Sequence, residues 1–189
     1  MPPLPSPAFS IRPATLADIP VLEALIVRSA AALSPGFYTP AQIAAVTQEV
    51  FGVDSQLIVD GTYFVIEHDG EACACGGWSR RATPFGGDKH KSAEKTPDRL
   101  LDPATEAAKI RAFFVDPAMA RRGCASALMD HCAAAAGAAG FTLLELSATM
   151  PGVPLYLAHG FTLVEQFDLA LASGTVLVPL ALMRRPVTL

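Results

Sequence analysis

The chain has 189 residues, 51% of them hydrophobic and 17% charged, with a formal net charge of −4. That apolar content excludes a disordered chain, and the acidic balance excludes a general nucleic-acid binder, which carries a large basic excess. The length suits one domain with a sizeable core.

In chain order, MPPLPSPA (1–8) reads as a mobile, proline-rich tail; it lacks the charged start and apolar centre of a signal peptide. Phe9 to Pro13 is a short strand. Thr15 is placed as the N-cap of a helix over Ala17 to Ala32, with Asp18 favouring the same end. Ile19, Leu22, Leu25, Ile26 and Leu33 fall on one face of it. Ser34-Pro35-Gly36 stops that helix, and Thr39-Pro40 starts a second one carrying Ile43, Val46, Val50 and Phe51.

From Gly61 the period becomes that of strands. Thr62 to Glu67 and Glu71 to Ser79 flank His68-Asp69-Gly70, a hairpin signal. The segment 80–105 has no clear period and holds Pro84, Gly86-Gly87, Pro97 and Pro103, which predicts a long loop. Its basic excess reads first as a solvated face. Strands follow over Ile110 to Val115, Thr142 to Ala148, Thr162 to Leu171 and Thr175 to Met183. Between them lie an Ala-rich helix after Gly123 and a short helix over Pro154 to Ala158. The order β-α-α-β-β-β-α-β-α-β-β describes an α/β chain with a mixed sheet.

Four cysteines do not form a disulfide framework here. Cys73 and Cys75 are expected on one strand face, and Cys124 and Cys132 are too far apart on one helix. Reduced, buried thiols imply a cytoplasmic setting. No Cys or His spacing suits a metal, and no charge-free run of about 18 apolar residues suits a membrane.

The most informative stretch is Lys109 to Phe141. An apolar strand turns through Asp116-Pro117, crosses the basic loop Arg121-Arg122-Gly123 and enters a helix. The first N–H groups of a helix lack intrahelical partners and its dipole is positive there, so this is an anion site suited to a phosphate or pyrophosphate. A Rossmann site is excluded by the lack of GxGxxG, and a Walker A loop by the lack of GxxxxGK.

This order of elements, with Val115-x-Pro117, ARRGCASAL (Ala120 to Leu128) and VPLYLAHGF (Val153 to Phe161), resembles the GNAT superfamily of acyl-CoA-dependent N-acetyltransferases. The opening Ile11 to Asp18 (IRPATLAD) is also common there, so the resemblance runs from Phe9 to Arg184. It implies one N-acetyltransferase domain over 9–185, a mixed, mostly antiparallel seven-stranded sheet and about four flanking helices. The family's cofactor loop has Gln or Arg, two residues, Gly, one residue, then Gly or Ala. Here Gly123 and Ala125 fill the small positions, while Ala120 replaces the Gln or Arg.

The resemblance implies acetyl-CoA as co-substrate and direct attack of a primary amine, of a small molecule or a peptide, on the thioester. Backbone groups of Phe113, Phe114 and Val115 would meet the pantetheine arm. Arg121, Arg122, Gly123, Cys124, Ala125 and Ser126 would hold the pyrophosphate. Tyr156 matches the family's tyrosine that protonates the thiolate; packing of its ring on a neighbouring strand is the alternative. The base is open. Glu145, on one strand face with Ser147 and Thr149, could act directly or through water, and it could equally be an ordinary sheet-edge glutamate. His90, Glu67 and His68 are weaker candidates.

Trp78 is either a core aromatic or, with Arg80 and Asp88, part of an acceptor pocket walled by the 80–105 loop. The partners implied are acetyl-CoA and an amine, without nucleic acid or membrane, and a homodimer is admitted. A non-catalytic acyl-CoA sensor that kept the loop is the rival function.

Overall fold

A computed structural model describes residues 9–91, 99–171, 174 and 176–187. The expected 1–8 tail, most of the turn at Ala172-Ser173-Gly174 and the charged run around Glu94 and Lys95 lie outside the described residues. Seven strands form one sheet: β1 (Ser10–Pro13), β2 (Tyr63–His68), β3 (Glu71–Ser79), β4 (Ala108–Val115), β5 (Leu143–Thr149), β6 (Thr162–Ala170) and β7 (Leu177–Pro186). Their spatial order is β1-β2-β3-β4-β5-β7-β6, and only the β4–β5 pair is parallel. The helices are α1 (Ile19–Leu33), α2 (Pro40–Glu49), α3 (Ser55–Val59), α4 (Asp88–Lys91), α5 (Cys124–Ala138) and α6 (Val153–Ala158).

Each sheet face has its own core. Leu22, Leu25 and Ile26 of α1 and Val46 of α2 pack with Val65 and Tyr63 on one face. Leu128, Met129 and Cys132 of α5 pack with Ile66, Leu144 and Met183 on the other. The alternation of Leu144, Leu146 and Ala148 toward α5 puts Glu145, Ser147 and Thr149 toward α1 and α2, as the two-residue strand period requires.

The four expected helices are present, and two short ones are added. The α3 turn forms because the Asp54 carboxylate accepts from the Gln56 N–H at 3.2 Å, an N-cap without a long apolar period to announce it. Helix α2 ends at Glu49, two residues before the expected Phe51. Thr15 caps a 3-10 turn (Leu16–Asp18) ahead of α1, with its N–H donating to Asp18 at 2.7 Å. The hairpin signal is realised with positive φ at both Asp69 (52°) and Gly70 (81°).

The expectation that Cys73 and Cys75 share a strand face is corrected. The β2–β3 register shifts between Ile66 and Glu67, leaving Cys73 as the extra residue, so Cys73 joins the α5 core and Cys75 the α1 core. All four cysteines are buried free thiols.

Two irregularities of β4 shape the molecule. Cys75 pairs with Phe114 and Gly77 with Arg111, so Ala112 and Phe113 together oppose Gly76, and Ala112 takes φ +54°. The bulge needs glycine across from it: a Cβ on Gly76 would lie 2.5 Å from the Phe113 ring, and one on Gly77 would lie 2.3 Å from the Thr62 carbonyl oxygen. The buried Tyr63 hydroxyl donates to the Ala112 carbonyl at 3.2 Å and pins the bulge from behind. Beyond it, β4 and β5 diverge. Their pairing is confined to Ala108↔Leu144 and Lys109↔Glu145, and the strands then open into a wedge in the middle of the sheet.

Candidate active site

The wedge leads into a cleft open to solvent. Ile110 to Phe114 line one side, and Leu146, Ser147, Thr149 and Tyr156 the other. Central strands are normally paired along both edges, but β4 has no β5 partner beyond Lys109, and Phe113, Phe114 and Val115 are half-buried; the Val115 N–H donates to the Ser29 hydroxyl at 3.4 Å. An extended chain can pair with them as an added strand would.

At the end of β4 the chain turns through Asp116 and a 3-10 turn (Pro117–Met119) into α5. The Arg28 guanidinium of α1 donates to the Asp116 carboxylate at 2.9 Å, tying the turn to the first helix. Arg121 (φ +61°) and Gly123 (φ +89°) bend the loop so that α5 begins at Cys124. A Cβ on Gly123 would meet nothing within 4 Å, so the space before the helix is open to a ligand. Arg121, Arg122 and Gly123 are exposed there, and the N–H groups of Cys124, Ala125 and Ser126 form the first turn, where no intrahelical acceptor exists. Fifteen residues of helix dipole point their positive end at this opening. A helix N-terminus with N–H groups lacking intrahelical acceptors and two adjacent exposed arginines fits the chemistry of a pyrophosphate.

Tyr156 stands on α6, with its ring edge-on to Phe161 at a centroid distance of 5.8 Å. Gly152 lets it lie close: a Cβ there would be 3.0 Å from the tyrosine Cε2. Burial raises the Tyr156 phenol well above its ordinary value, and the neighbouring Cys132 adds to this. The hydroxyl thus stays protonated and can donate.

Glu145 is on the expected face but does not line the cleft, whose β5 wall is made by Leu146, Ser147 and Thr149. Its carboxylate sits in a cross-strand ion triad with Lys109 of β4 and Arg184 of β7, the latter at 2.5 Å. Burial alone would raise its pKa, but Lys109 and Arg184 outweigh that and hold it below the ordinary value. A carboxylate committed to two cations is a poor proton acceptor.

The acceptor-pocket expectation is corrected in part. Trp78 is 3% exposed and packs on Phe141 in the α5 core, away from the cleft. Arg80 is exposed and lies over the Trp78 ring at 5.7 Å. Asp88 opens α4, where its carboxylate accepts from the Ser55 N–H at 3.1 Å. None of the three lines the cleft; Pro84, Phe85, Gly86 and Gly87 from the same loop do. Strand alternation explains the miss: Trp78 and the bulged β4 backbone lie on opposite faces. The weaker base candidates also lie elsewhere. Glu67 pairs with Arg12 at 2.8 Å and His68 faces Asp69 at 3.6 Å, while His90 packs beside Phe85 with ring centroids 5.2 Å apart.

Sequence reasoning missed the residues that hold this loop in place. Arg111 of β4, with its side chain 2% exposed, pairs with the fully buried Asp54 at 3.0 Å. It also donates to the carbonyls of Thr83 and Gly86. Gly87 N–H reaches the Val50 carbonyl at 2.9 Å, and a Cβ on Gly87 would be 2.6 Å from the Gly52 carbonyl oxygen. The signal was present as one arginine inside the apolar run KIRAFFV, since a buried arginine requires an anion.

The sequence profile of the acetyltransferase (GNAT) domain matches residues 59–163, which span the wedge, the α5 loop and Tyr156. The chain belongs to the GNAT acetyltransferase family. As an acetyltransferase fold it superposes on a GCN5-related N-acetyltransferase from Rhodopseudomonas palustris with a TM-score of 0.66, at 16% identity over 94% of each chain. A similar fold is seen in PaiA N-acetyltransferase from Thermoplasma acidophilum, solved with coenzyme A (TM-score 0.64, 11% identity, 95% of this chain and 99% of that one). YncA of Salmonella typhimurium, solved with acetyl-CoA, gives a TM-score of 0.62 at 15% identity over 96% of this chain and 95% of that one. No curated protein matches the chain by sequence. Among the described residues, no helix of this GNAT domain is long and apolar enough to cross a membrane.

Proposed function

We propose that residues 9–185 act as a single N-acetyltransferase domain that moves the acetyl group of acetyl-CoA to a primary amine, by direct attack in the cleft between β4 and β5. The observation that carries this reading is the wedge itself. Ile110 to Phe114 of β4 line it where that strand is released from β5, the chain then turns from β4 into the N-terminus of α5, and Tyr156 stands in its wall.

In this reading the N–H groups of Cys124, Ala125 and Ser126, with Gly123, Arg121 and Arg122, hold the pyrophosphate. The pantetheine arm lies along Phe113, Phe114 and Val115. A backbone N–H of the bulged strand polarises the thioester carbonyl, the kind of preorganised donor that stabilises a developing oxyanion. Tyr156, kept protonated by burial, gives its proton to the departing thiolate. The buried, reduced thiols support a cytoplasmic setting.

Thiol release from acetyl-CoA, followed across a panel of amines, tests the activity. Tyr156→Phe should lower kcat by about a hundredfold or more while coenzyme A affinity changes less than about twofold. Unchanged turnover in that variant would remove the tyrosine from the reaction.

A further inference from the structure

We propose that the acceptor is a hydrophobic primary amine carrying an aromatic ring, and that the cleft takes it up in its neutral form. This rests on the acetyl-transfer reading above and concerns the part of the cleft beyond the reacting centre.

That part is built from apolar side chains contributed by five separate segments. Phe51 follows α2, Phe85 comes from the 80s loop, Phe114 from β4, and Leu169 and Leu180 from β6 and β7. The aromatic groups are arranged as a wall. Phe51 and Phe114 meet edge-to-face at 5.3 Å, and Phe85 lies tilted against Phe167 at 6.4 Å. Phe51, Phe85 and Phe114, held in place by these contacts, line the cleft and favour a further ring beside them, which adds quadrupole contacts to its area burial. An aromatic wall of this kind favours a flat apolar group attached to the amine.

The electrostatics agree with the shape. Among the described residues, no carboxylate lines the cleft. The one charged side chain in its wall, Arg111, is already neutralised by Asp54 and bonded to the Thr83 and Gly86 carbonyls. A polyamine would need anions for its distal ammonium groups, and an amino acid would need a free cation for its carboxylate. Glu145 is held in its ion triad below the cleft and Asp88 on the Ser55 N–H outside it. Burying an unpaired charge against these walls is strongly unfavourable, so the entering amine sheds its proton to water first.

The chemistry then balances without a dedicated carboxylate base. The nitrogen lone pair forms the C–N bond to the thioester carbon, and the C–S bond breaks with its electron pair on sulfur. The Tyr156 hydroxyl protonates that sulfur. The surplus proton on nitrogen passes through water and restores the phenol. The products are the amide and coenzyme A thiol.

The test measures kcat/KM with acetyl-CoA for 2-phenylethylamine, methylamine, spermidine and glycinamide. It adds benzylamine, a weaker base than 2-phenylethylamine, and a donor comparison with butyryl-CoA. The expected result is about a hundredfold preference for 2-phenylethylamine over methylamine, spermidine and glycinamide. Phe85→Ala should narrow that preference to about tenfold or less. For the wild-type enzyme, log kcat/KM should climb with pH up to the pKa of the amine itself, with a lower midpoint for benzylamine. This profile holds the inference to account even where the variant fails to fold.

Faster turnover of spermidine or glycinamide overturns the inference and leaves acetyl transfer standing. So does a midpoint that is the same for both aryl amines, which would mark a protein base acting on a bound cation. Faster transfer from butyryl-CoA would assign the apolar space to the acyl chain and likewise overturn it. Coenzyme A binding with no acetylation of any amine would overturn the underlying acetyl-transfer reading.

Discussion

Removing the Asp54 carboxylate should expose how strongly one buried ion pair holds the acceptor side of the cleft together. Asp54→Ala leaves the Arg111 guanidinium, 2% exposed, without its anion in an interior that cannot hydrate it. Breaking a buried pair from one side costs about 3–5 kcal/mol, against total stabilities of about 5–15 kcal/mol. Loss of the cap on the Gln56 N–H contributes about 1 kcal/mol of that. For a chain of this size the melting temperature should fall by about 6–20 °C. The double variant Asp54→Ala/Arg111→Met removes both charges and should recover part of the loss. Recovery stays incomplete because the cap is gone and the Thr83 and Gly86 carbonyls lose their donor. Urea unfolding of the two single variants and the double variant gives the coupling energy directly. A loss below about 1 kcal/mol in Asp54→Ala, the range of an exposed pair, would refute the reasoning that this pair is desolvated and structural.

Further outcomes follow from other sites. The Glu145 carboxyl is held below its ordinary 4.5, so its ion pairs stabilise the fold fully above that pH and fade as pH falls through the lowered value. Glu145→Gln should therefore cost about 1.5–3 kcal/mol near neutrality and progressively less in acid, while turnover changes less than about threefold. A drop in turnover of a hundredfold would return Glu145 to the role of base. Gly76→Ala should destabilise by about 1–3 kcal/mol because the new methyl meets the Phe113 ring, and urea midpoints would show it; no loss would mean that the ring swings freely aside. Burial pushes the Cys73 and Cys75 thiols up to about 12, so the native protein should resist iodoacetamide at pH 8 and react once unfolded. Rapid alkylation of the native chain would contradict that burial.

The cofactor half of this protein is local in sequence, and that is why it could be read there. Strand, Asp116-Pro117 turn, Gly123 and the start of α5 occupy one short stretch, and the chemistry of a helix N-terminus depends on adjacent residues only. Tyr156 entered through a second local pattern, VPLYLAHGF. The strand and helix segments likewise followed from periods of two and 3.6 residues along the chain, while their assembly into one seven-stranded sheet was what the family resemblance implied.

What the sequence alone could not determine lies in relations between distant segments. Trp78 and Glu145 are ordinary members of strand patterns. Whether either faces the cleft depends on how β3, β4, β5 and β7 register, and on a bulge whose cause, two glycines opposite Phe113, sits on the neighbouring strand. The Arg111–Asp54 pair joins residues 57 positions apart, 111 minus 54. The apolar acceptor wall draws Phe51, Phe85, Phe114, Leu169 and Leu180 from across most of the chain. Sequence by itself determined the loop and helix start proposed to hold the pyrophosphate, because one turn of backbone makes them. Only the tertiary structure decided the apolar cleft that we propose takes the acceptor, because its surface exists nowhere along the chain until the sheet brings those side chains to one place.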